Sequence, residues 1–337
     1  MIEPLSQPTL TNVAHHAGVS RQSAGQILGG KADLFRPETV RLVQQAAAAL
    51  GYRPHGMGQA LRFGRTNFIG LVQDRHYYRT SLRSELICSI EEQLALQGRQ
   101  LVYGSLAEDV DPPQLLQRII ADGFLINYHA EVPPALERAT AEGRTPAVYL
   151  NTRRGSGCVY HDESAGAEAL TATCLQRWGS VGWLDQGPAT SADMHAEPHH
   201  SISDRRHGHE HACHAAKVDP HFIRIKFGEG TISMLDQMSL HLAKPDRPRC
   251  LIIGDGYESY VIAHIAAARV GLRIPEDLAL AGYYSWRCGE LGWHGPMLEQ
   301  RWDHMAKAAV DLLLKALEEP TLRIPALSIP LNRIGFD

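Results

Sequence analysis

The sequence lacks the features that mark several classes of protein. No apolar run approaches the ~18 residues that a membrane span needs. The opening residues, Met1-Ile2-Glu3-Pro4, lack the basic and apolar regions of a secretory signal. A cytoplasmic location with no membrane partner is therefore expected. The six cysteines (Cys88, Cys158, Cys174, Cys213, Cys250 and Cys288) are widely spaced and include no CxxC pair. They read as buried free thiols in a reducing compartment, not as a disulfide framework. There is no GxSxG elbow, no GxxxxGK[ST] phosphate loop and no HExxH metal pair. His209-Glu210-His211 is too compact to imitate the last. No catalytic residue, no cofactor and no enzymatic activity are expected.

What is present is an ordinary globular balance, 44% hydrophobic and 21% charged, in a chain of 337 residues. That length suits two or three domains. The charge is unevenly spread. Residues 1–65 hold seven Lys/Arg against three acids, a net +4, so the remainder carries −8 within a total of −4. A basic head on an acidic body places any polyanion contact in the head.

Residues 11–30 predict two short helices around a tight Gly18-Val19-Ser20 turn. Val13, Ala14 and Ala17 form a small apolar face on the first helix. Gly18 ends that helix where a left-handed residue is cheapest. Val19 fills the gap, and Ser20 can cap the second helix. The second helix then offers Arg21, Gln22 and Gln26, long side chains that suit purine edges in the major groove. An ordinary helical hairpin has the same outline, but a helix-turn-helix explains the exposed polar residues as well. A third helix starts at Arg36-Pro37-Glu38, with Pro37 in the favoured first turn, and stops at Gly51.

Beyond Thr66, strand-like segments at 68–72, 100–103, 123–127, 147–151, 180–184, 250–254 and 278–282 alternate with helix-like ones. The helical segments lie at 82–97, 115–120, 134–142, 165–177, 204–216, 257–270 and 305–317. Repeated βα units of this kind build parallel sheets with helices on both faces, and there are enough for two. Ligands in such folds sit beyond the carboxyl ends of the strands, so two lobes imply a cleft site.

The order of these parts resembles the LacI/GalR family of bacterial transcription regulators. The resemblance rests on the two-helix reader, the third helix, Gly51-Tyr52-Arg53-Pro54, a short linker helix ending in Leu61-Arg62, Gly64-Arg65-Thr66, and a strand. It is most specific over residues 8–72. Further along, Gly271-Leu272-Arg273-Ile274-Pro275-Glu276-Asp277 matches the family's helix-to-strand signature. Arg205-Arg206-His207-Gly208 resembles its RxxG start of a cleft helix, and Tyr160-His161-Asp162-Glu163 its xxDN segment.

The resemblance implies an all-α helix-turn-helix head (1–53), a hinge helix and linker (54–66), and a two-lobed α/β effector-binding and dimerisation body (67–337). That body is of the periplasmic-binding-protein type, with parallel sheets. The partners implied are double-stranded operator DNA, a small-molecule effector and a second copy of the chain, and the protein is expected to act as a repressor. Base reading falls on Arg21, Gln22 and Gln26, and phosphate contact on Ser20 and Ser23. Leu61 matches the leucine wedge that bends the minor groove. Tyr77, Tyr78, Asp162, Arg205, Asp255 and Tyr283 match effector-cleft positions. Crossings between the lobes are expected near 178–181, 299–303 and 325–329. The chain also departs from the family. Gly25-Gln26 stands where Ser-Arg is usual, and Gly56 and Gly58 weaken the linker helix by roughly 1 kcal/mol each. Tyr284 replaces the acid that sugar-binding members carry at this strand end, which suggests a flatter or less hydroxylated ligand.

Of 18 histidines, eight lie between 195 and 221. On a helix His207, His211 and His214 share one face, a spacing that can chelate zinc, nickel or copper. A solvated histidine-rich helix is the simpler reading, and a metal-responsive regulator is the alternative. A solute-binding protein without regulation is a third, disfavoured by the helix-turn-helix.

Overall fold

A computed structural model describes residues 8–52, 65–74, 83–106, 121–128, 132, 134–142, 145–186, 199–226, 230–254, 257–283 and 295–337. The chain divides into two compact units, one of residues 1–68 with 119–122 and one of the remainder.

In the first unit each helix end is set by local chemistry. Helix α1 (Leu10–His16) opens with a capping box: Asn12 N–H donates to Thr9 Oγ1, and Thr9 N–H donates to Asn12 Oδ1. Gly18 takes the left-handed conformation, φ 66°, that turns the chain. Ser20 Oγ accepts from Ser23 N–H at 3.0 Å and starts α2 (Arg21–Leu28). Helix α3 (Pro37–Leu50) ends at left-handed Gly51, and Tyr52 N–H returns to Ala47 O at 2.8 Å. Val13, Ala14, Ala24, Ile27, Val43, Ala46 and Ala47 are buried together, with Val19 packed against them.

The second unit holds two six-stranded sheets among the described residues. Sheet one contains β1 (Phe68–Asp74), β2 (Gln100–Leu106), β3 (Gly123–Asn127), β4 (Ala147–Leu150), β5 (Cys158–His161) and β11 (Ala326–Ile329), in the order β11-β5-β4-β3-β1-β2. Sheet two contains β6 (Val181–Gln186), β7 (His221–Ile225), β8 (Cys250–Ile253), β9 (Ala279–Tyr283), β10 (Met297–Glu299) and β12 (Asn332–Ile334), in the order β12-β10-β9-β8-β6-β7. Pairing from β1 through β3, β4 and β5 to β11, and from β7 through β6, β8 and β9 to β10, is parallel. The edge strand β12 departs from the expected parallel pattern by running antiparallel to β10.

Helices α4 (Ser84–Leu96) and α10 (Trp302–Glu318) cover sheet one through Leu86, Ile90, Leu94, Met305, Ala309 and Leu313. Helices α8 (Thr231–Leu242) and α9 (Tyr257–Arg269) cover one face of sheet two, and α6 (Glu163–Trp178) covers the other. Helix α7 (His200–Ala215) lies against α6. Helix α5 (Pro134–Glu142) follows β3.

The first lobe crossing departs from the expected 178–181. Ala167, Leu170 and Cys174 of α6 bury against Trp183, Ile252 and Ala281 of sheet two. The chain therefore leaves sheet one directly after His161, at Asp162. The second crossing falls at Gln300–Arg301, inside the expected span. The third falls at Pro330–Leu331, just past it. Among the described cysteines Cys158, Cys174, Cys213 and Cys250 are buried free thiols, while Cys88 is exposed.

Helices α6 and α7 approach closely at Gly208, where an added Cβ would lie 2.2 Å from Ser164 O and 2.9 Å from Glu168 N. Neither backbone atom can yield without moving a helix. Gly208→Ala is expected to destabilise the protein by about 2–3 kcal/mol or more, the range of overpacked cores. Urea unfolding of the full chain checks this, and an unchanged midpoint would contradict the packing.

Candidate DNA-reading helix and effector cleft

On α2, Arg21 and Gln22 are exposed, while Ser23 and Gln26 are half-buried. Buried Ala24 and Ile27 hold the opposite side of the helix against α1 and α3. Ser20 Oγ is engaged locally, capping α2 and lying 2.8 Å from Ser23 Oγ. The head therefore presents one rigid helix whose N-terminal turn carries a guanidinium and a carboxamide, two groups able to bond base edges in pairs. Leu61 lies outside the described residues.

In the second unit the functional chemistry gathers at the carboxyl ends of the strands. Register places Gln73 of β1 beside Asn127 of β3, and Asn127 beside Leu150 of β4, whose next residue is Asn151. Asn151 N–H bonds Val159 O of β5, whose last residue is His161. Along this edge Gln73 Oε1, Asn127 Nδ2, Asn151 Oδ1 and both ring nitrogens of His161 are buried without a hydrogen-bond partner. Asn151 also adopts a left-handed φ of 50°. Buried polar atoms are almost always paired, so a row of orphans at a sheet's carboxyl edge marks a place for a ligand.

His161 is fully buried, edge-on to the Trp302 ring at 4.8 Å. Burial pulls its pKa down to about 4; Glu163 and the nearby Arg301 backbone pull the other way without reversing this. The ring is neutral at physiological pH.

Immediately beyond the first crossing, Glu163 meets Arg205 of α7. Arg205 Nε donates to Glu163 Oε2 at 2.8 Å, and Nη2 donates to Oε1 at 2.9 Å. Nη1 donates to Gly254 O, past the end of β8, at 2.6 Å. The guanidinium lies 4.0 Å over the ring of Tyr283 at the end of β9. From the second crossing, Gln300 Nε2 donates to Glu163 Oε1 at 2.7 Å. Burial alone would raise the Glu163 carboxyl, but the Arg205 charge and hydrogen bonds outweigh it and hold the pKa at about 2.

A second set of contacts joins the lobes at the start of α7. His199 Nε2 and His200 Nε2 lie 2.6 and 3.1 Å from Asn151 O. Arg153 pairs with Asp204 at 2.8 Å, and His200 Nδ1 lies 3.0 Å from the same carboxylate.

The structure thus brings Arg205 and Tyr283 into contact. Asp162 stands at the first crossing, where Oδ1 caps α6 by accepting from Ala165 N–H and its N–H bonds Ile329 O. Tyr77, Tyr78 and Asp255 lie outside the described residues. His207, His211 and His214 are all exposed, and His211 pairs with Glu168 at 2.9 Å. Among the described residues no three His, Cys, Asp or Glu converge as metal ligands, so the helical spacing does not translate into a chelating site. Glu163, Gln300, His161, Asn127 and Asn151 escaped sequence reasoning. The signal was there for the last two: Asn127 ends, and Asn151 directly follows, a strand of mostly buried apolar residues.

No family model matches the chain. The helix-turn-helix regulator KdgR of Bacillus subtilis is 24% identical over 325 residues, covering 92% of this chain and 91% of its own. The ribose operon repressor of Escherichia coli is 23% identical over 341 residues, covering 95% and 96%. The solved Lac repressor dimer bound to operator and the anti-inducer ONPF shares the fold, with a TM-score of 0.73, 18% identity and 98% of each chain covered. A helical reader joined to a two-lobed α/β body defines a ligand-responsive class of DNA-binding regulators. Along nearly its whole length this chain is similar to helix-turn-helix transcription regulators, and it shares the fold of the Lac repressor.

His161 also sets a pH dependence. Its folded pKa near 4 lies below the ordinary 6.5, so between these values the unfolded chain binds the extra proton. Stability is complete above about pH 6.5 and falls as pH drops toward 4. Glu163, held at about 2 from an ordinary 4.5, adds a loss of the same sign below about pH 4.5. His161→Phe keeps a neutral ring against Trp302. It should preserve stability at pH 7 and lower the slope of unfolding free energy between pH 6.5 and 4 by about 1.4 kcal/mol per unit. Urea titrations across that range check this, and an unchanged slope would mean that His161 is charged in the fold.

Proposed function

We propose that the protein is a repressor whose operator affinity is set by a hydroxylated small molecule held between the two lobes. The observation that carries this is the row of orphaned polar atoms on Gln73, Asn127, Asn151 and His161, facing a chemistry of hydroxyls. Each hydroxyl both donates and accepts, so a polyol satisfies amide oxygens, amide nitrogens and a neutral imidazole together. The relative named for the ribose operon supports a sugar-type ligand, although Tyr284 in place of an acid speaks against a simple hexose contact at that strand end. In this reading Asp162, Arg205 and Tyr283, with Tyr77, Tyr78 and Asp255, complete the cleft.

On the DNA side, Arg21, Gln22 and Gln26 read base edges, Ser20 and Ser23 touch phosphates, and Leu61 wedges the minor groove. Two copies bind the two halves of a pseudo-palindromic operator. Ligand and operator affinities are reciprocally linked, since each ligand biases the same conformational equilibrium. No catalytic step enters this cycle.

Two measurements test the proposal. First, selection from a random duplex library gives the operator. Arg21→Ala and Gln22→Ala should then each weaken binding by about 1–3 kcal/mol and relax preference at one base pair per half-site. Loss spread evenly over all sequences would reduce these residues to phosphate contacts. Second, a panel of sugars and polyols at saturating concentration should raise the melting temperature and change operator affinity. A ligand at 100 times its Kd adds about 2.7 kcal/mol. A ligand that stabilises the protein without altering operator binding would overturn the regulatory reading.

A further inference from the structure

The cleft has a charge preference written into Glu163, an inference that rests on reading the cleft as an effector site. The chain's His161-Asp162-Glu163 places a carboxylate at the first crossing between the lobes. That carboxylate takes two of the Arg205 donors directly, and Gly254 O takes a third. The guanidinium is further fixed face-on over Tyr283. Gln300 holds the carboxylate in place from the second crossing. The positive charge of Arg205 is thereby neutralised inside the protein.

Arg153, at the other interlobe contact, is half-exposed and is paired with the buried Asp204 carboxylate. The orphaned atoms along sheet one belong to two asparagines, a glutamine and an imidazole kept neutral by burial. Among the described residues, the strand ends therefore offer neutral donors and acceptors. An anionic ligand seated there would surrender its hydration beside a fixed buried carboxylate, with both neighbouring cations already paired. An uncharged polyol would surrender only hydroxyl hydration, which the orphaned groups replace.

We propose that Glu163 is a positioning residue that, by neutralising Arg205, makes the cleft select an uncharged polyhydroxylated ligand over the carboxylate derived from it.

The test uses the full chain and matched pairs of pentoses and hexoses with their aldonates and uronates, read by thermal shift and titration calorimetry at constant ionic strength. The wild type should bind the neutral member of a pair at least about tenfold more tightly than its acid. Glu163→Gln should abolish or invert that ratio, because Arg205 then lacks its carboxylate. Independently of any sugar, Glu163→Gln should be stabilised by millimolar acetate relative to chloride, while the wild type is not.

Because an unpaired buried guanidinium can prevent folding, the double variant Glu163→Gln/Arg205→Gln is measured alongside. It removes both charges and should show neither acetate response nor gain of acid binding. Tighter wild-type binding of an acid than of its neutral parent overturns the proposal. So does an unchanged ratio in Glu163→Gln, or acid binding by the double variant equal to that of the single. If no member of any pair binds the wild type, the polyol reading itself fails, and the acetate response still decides whether Glu163 neutralises an anion site.

Discussion

The body depends on one buried ion pair. Glu163 opens α6 on the first strand of chain to leave sheet one, and Arg205 projects from α7 one turn before the Gly208 contact that seats α7 on α6. Removing two charges from water is expensive, and the mutual attraction offsets it only when geometry is good and the remaining donors are satisfied. Here the guanidinium donates to both carboxylate oxygens and to Gly254 O, while Gln300 covers the carboxylate from a second crossing strand. The pair thus gathers the first crossing, the second crossing and the ends of β8 and β9 at one point. Such a node contributes less to net stability than to uniqueness: with either partner gone, the other is a stranded charge, so only one arrangement of these segments is comfortable.

The consequence for motion follows from where the node sits. Asp162 N–H bonds Ile329 O, which ties the first crossing to the third. All three connections between lobes are therefore held by specific polar contacts within a few residues of the cleft. The contacts at the start of α7 set His199, His200 and the half-exposed Arg153 against two buried acceptors, Asn151 O and the Asp204 carboxylate. Opening the lobes at this point would leave those acceptors to be met by water, so closure and the crossings are held by the same kind of polar contact.

How much of this was legible in the sequence depends on whether the deciding physics is local. The head was readable nearly to the residue, because Ser20, Gly18, Pro37 and Gly51 act through caps and turns that involve only chain neighbours. Helix α6 was readable as a helix, but its periodicity says only that one face is apolar, not which sheet receives that face. The crossing was therefore placed a helix too late. The histidine spacing on α7 was correctly helical, yet the buried member is His209, wedged between Trp183 and Phe222 with burial pulling its pKa down to about 4. The face carrying His207, His211 and His214 is solvent. Glu163 was hidden beside Asp162: both are acids in one tetrapeptide, and only the geometry separates the one that caps a helix from the one that captures Arg205.

A ligand can shift an equilibrium only by interacting differently with its two states. The row of unpartnered polar atoms on Gln73, Asn127, Asn151 and His161 lies at the carboxyl edge of sheet one, while Arg205 and Tyr283 are held at the strand ends of the other lobe. A molecule that touched sheet one alone would satisfy those atoms equally well with the lobes apart or together, and would shift nothing. Coupling therefore requires that the ligand span from the amide row to the stacked guanidinium and phenol ring. Its energy is the part of binding realised only on closure, which is the contact with sheet two. In the proposed cycle that contact is made through Arg205, whose position is fixed by Glu163. On that proposal the residue that sets the charge of the cleft and the residue through which binding becomes regulation are the two halves of the same pair.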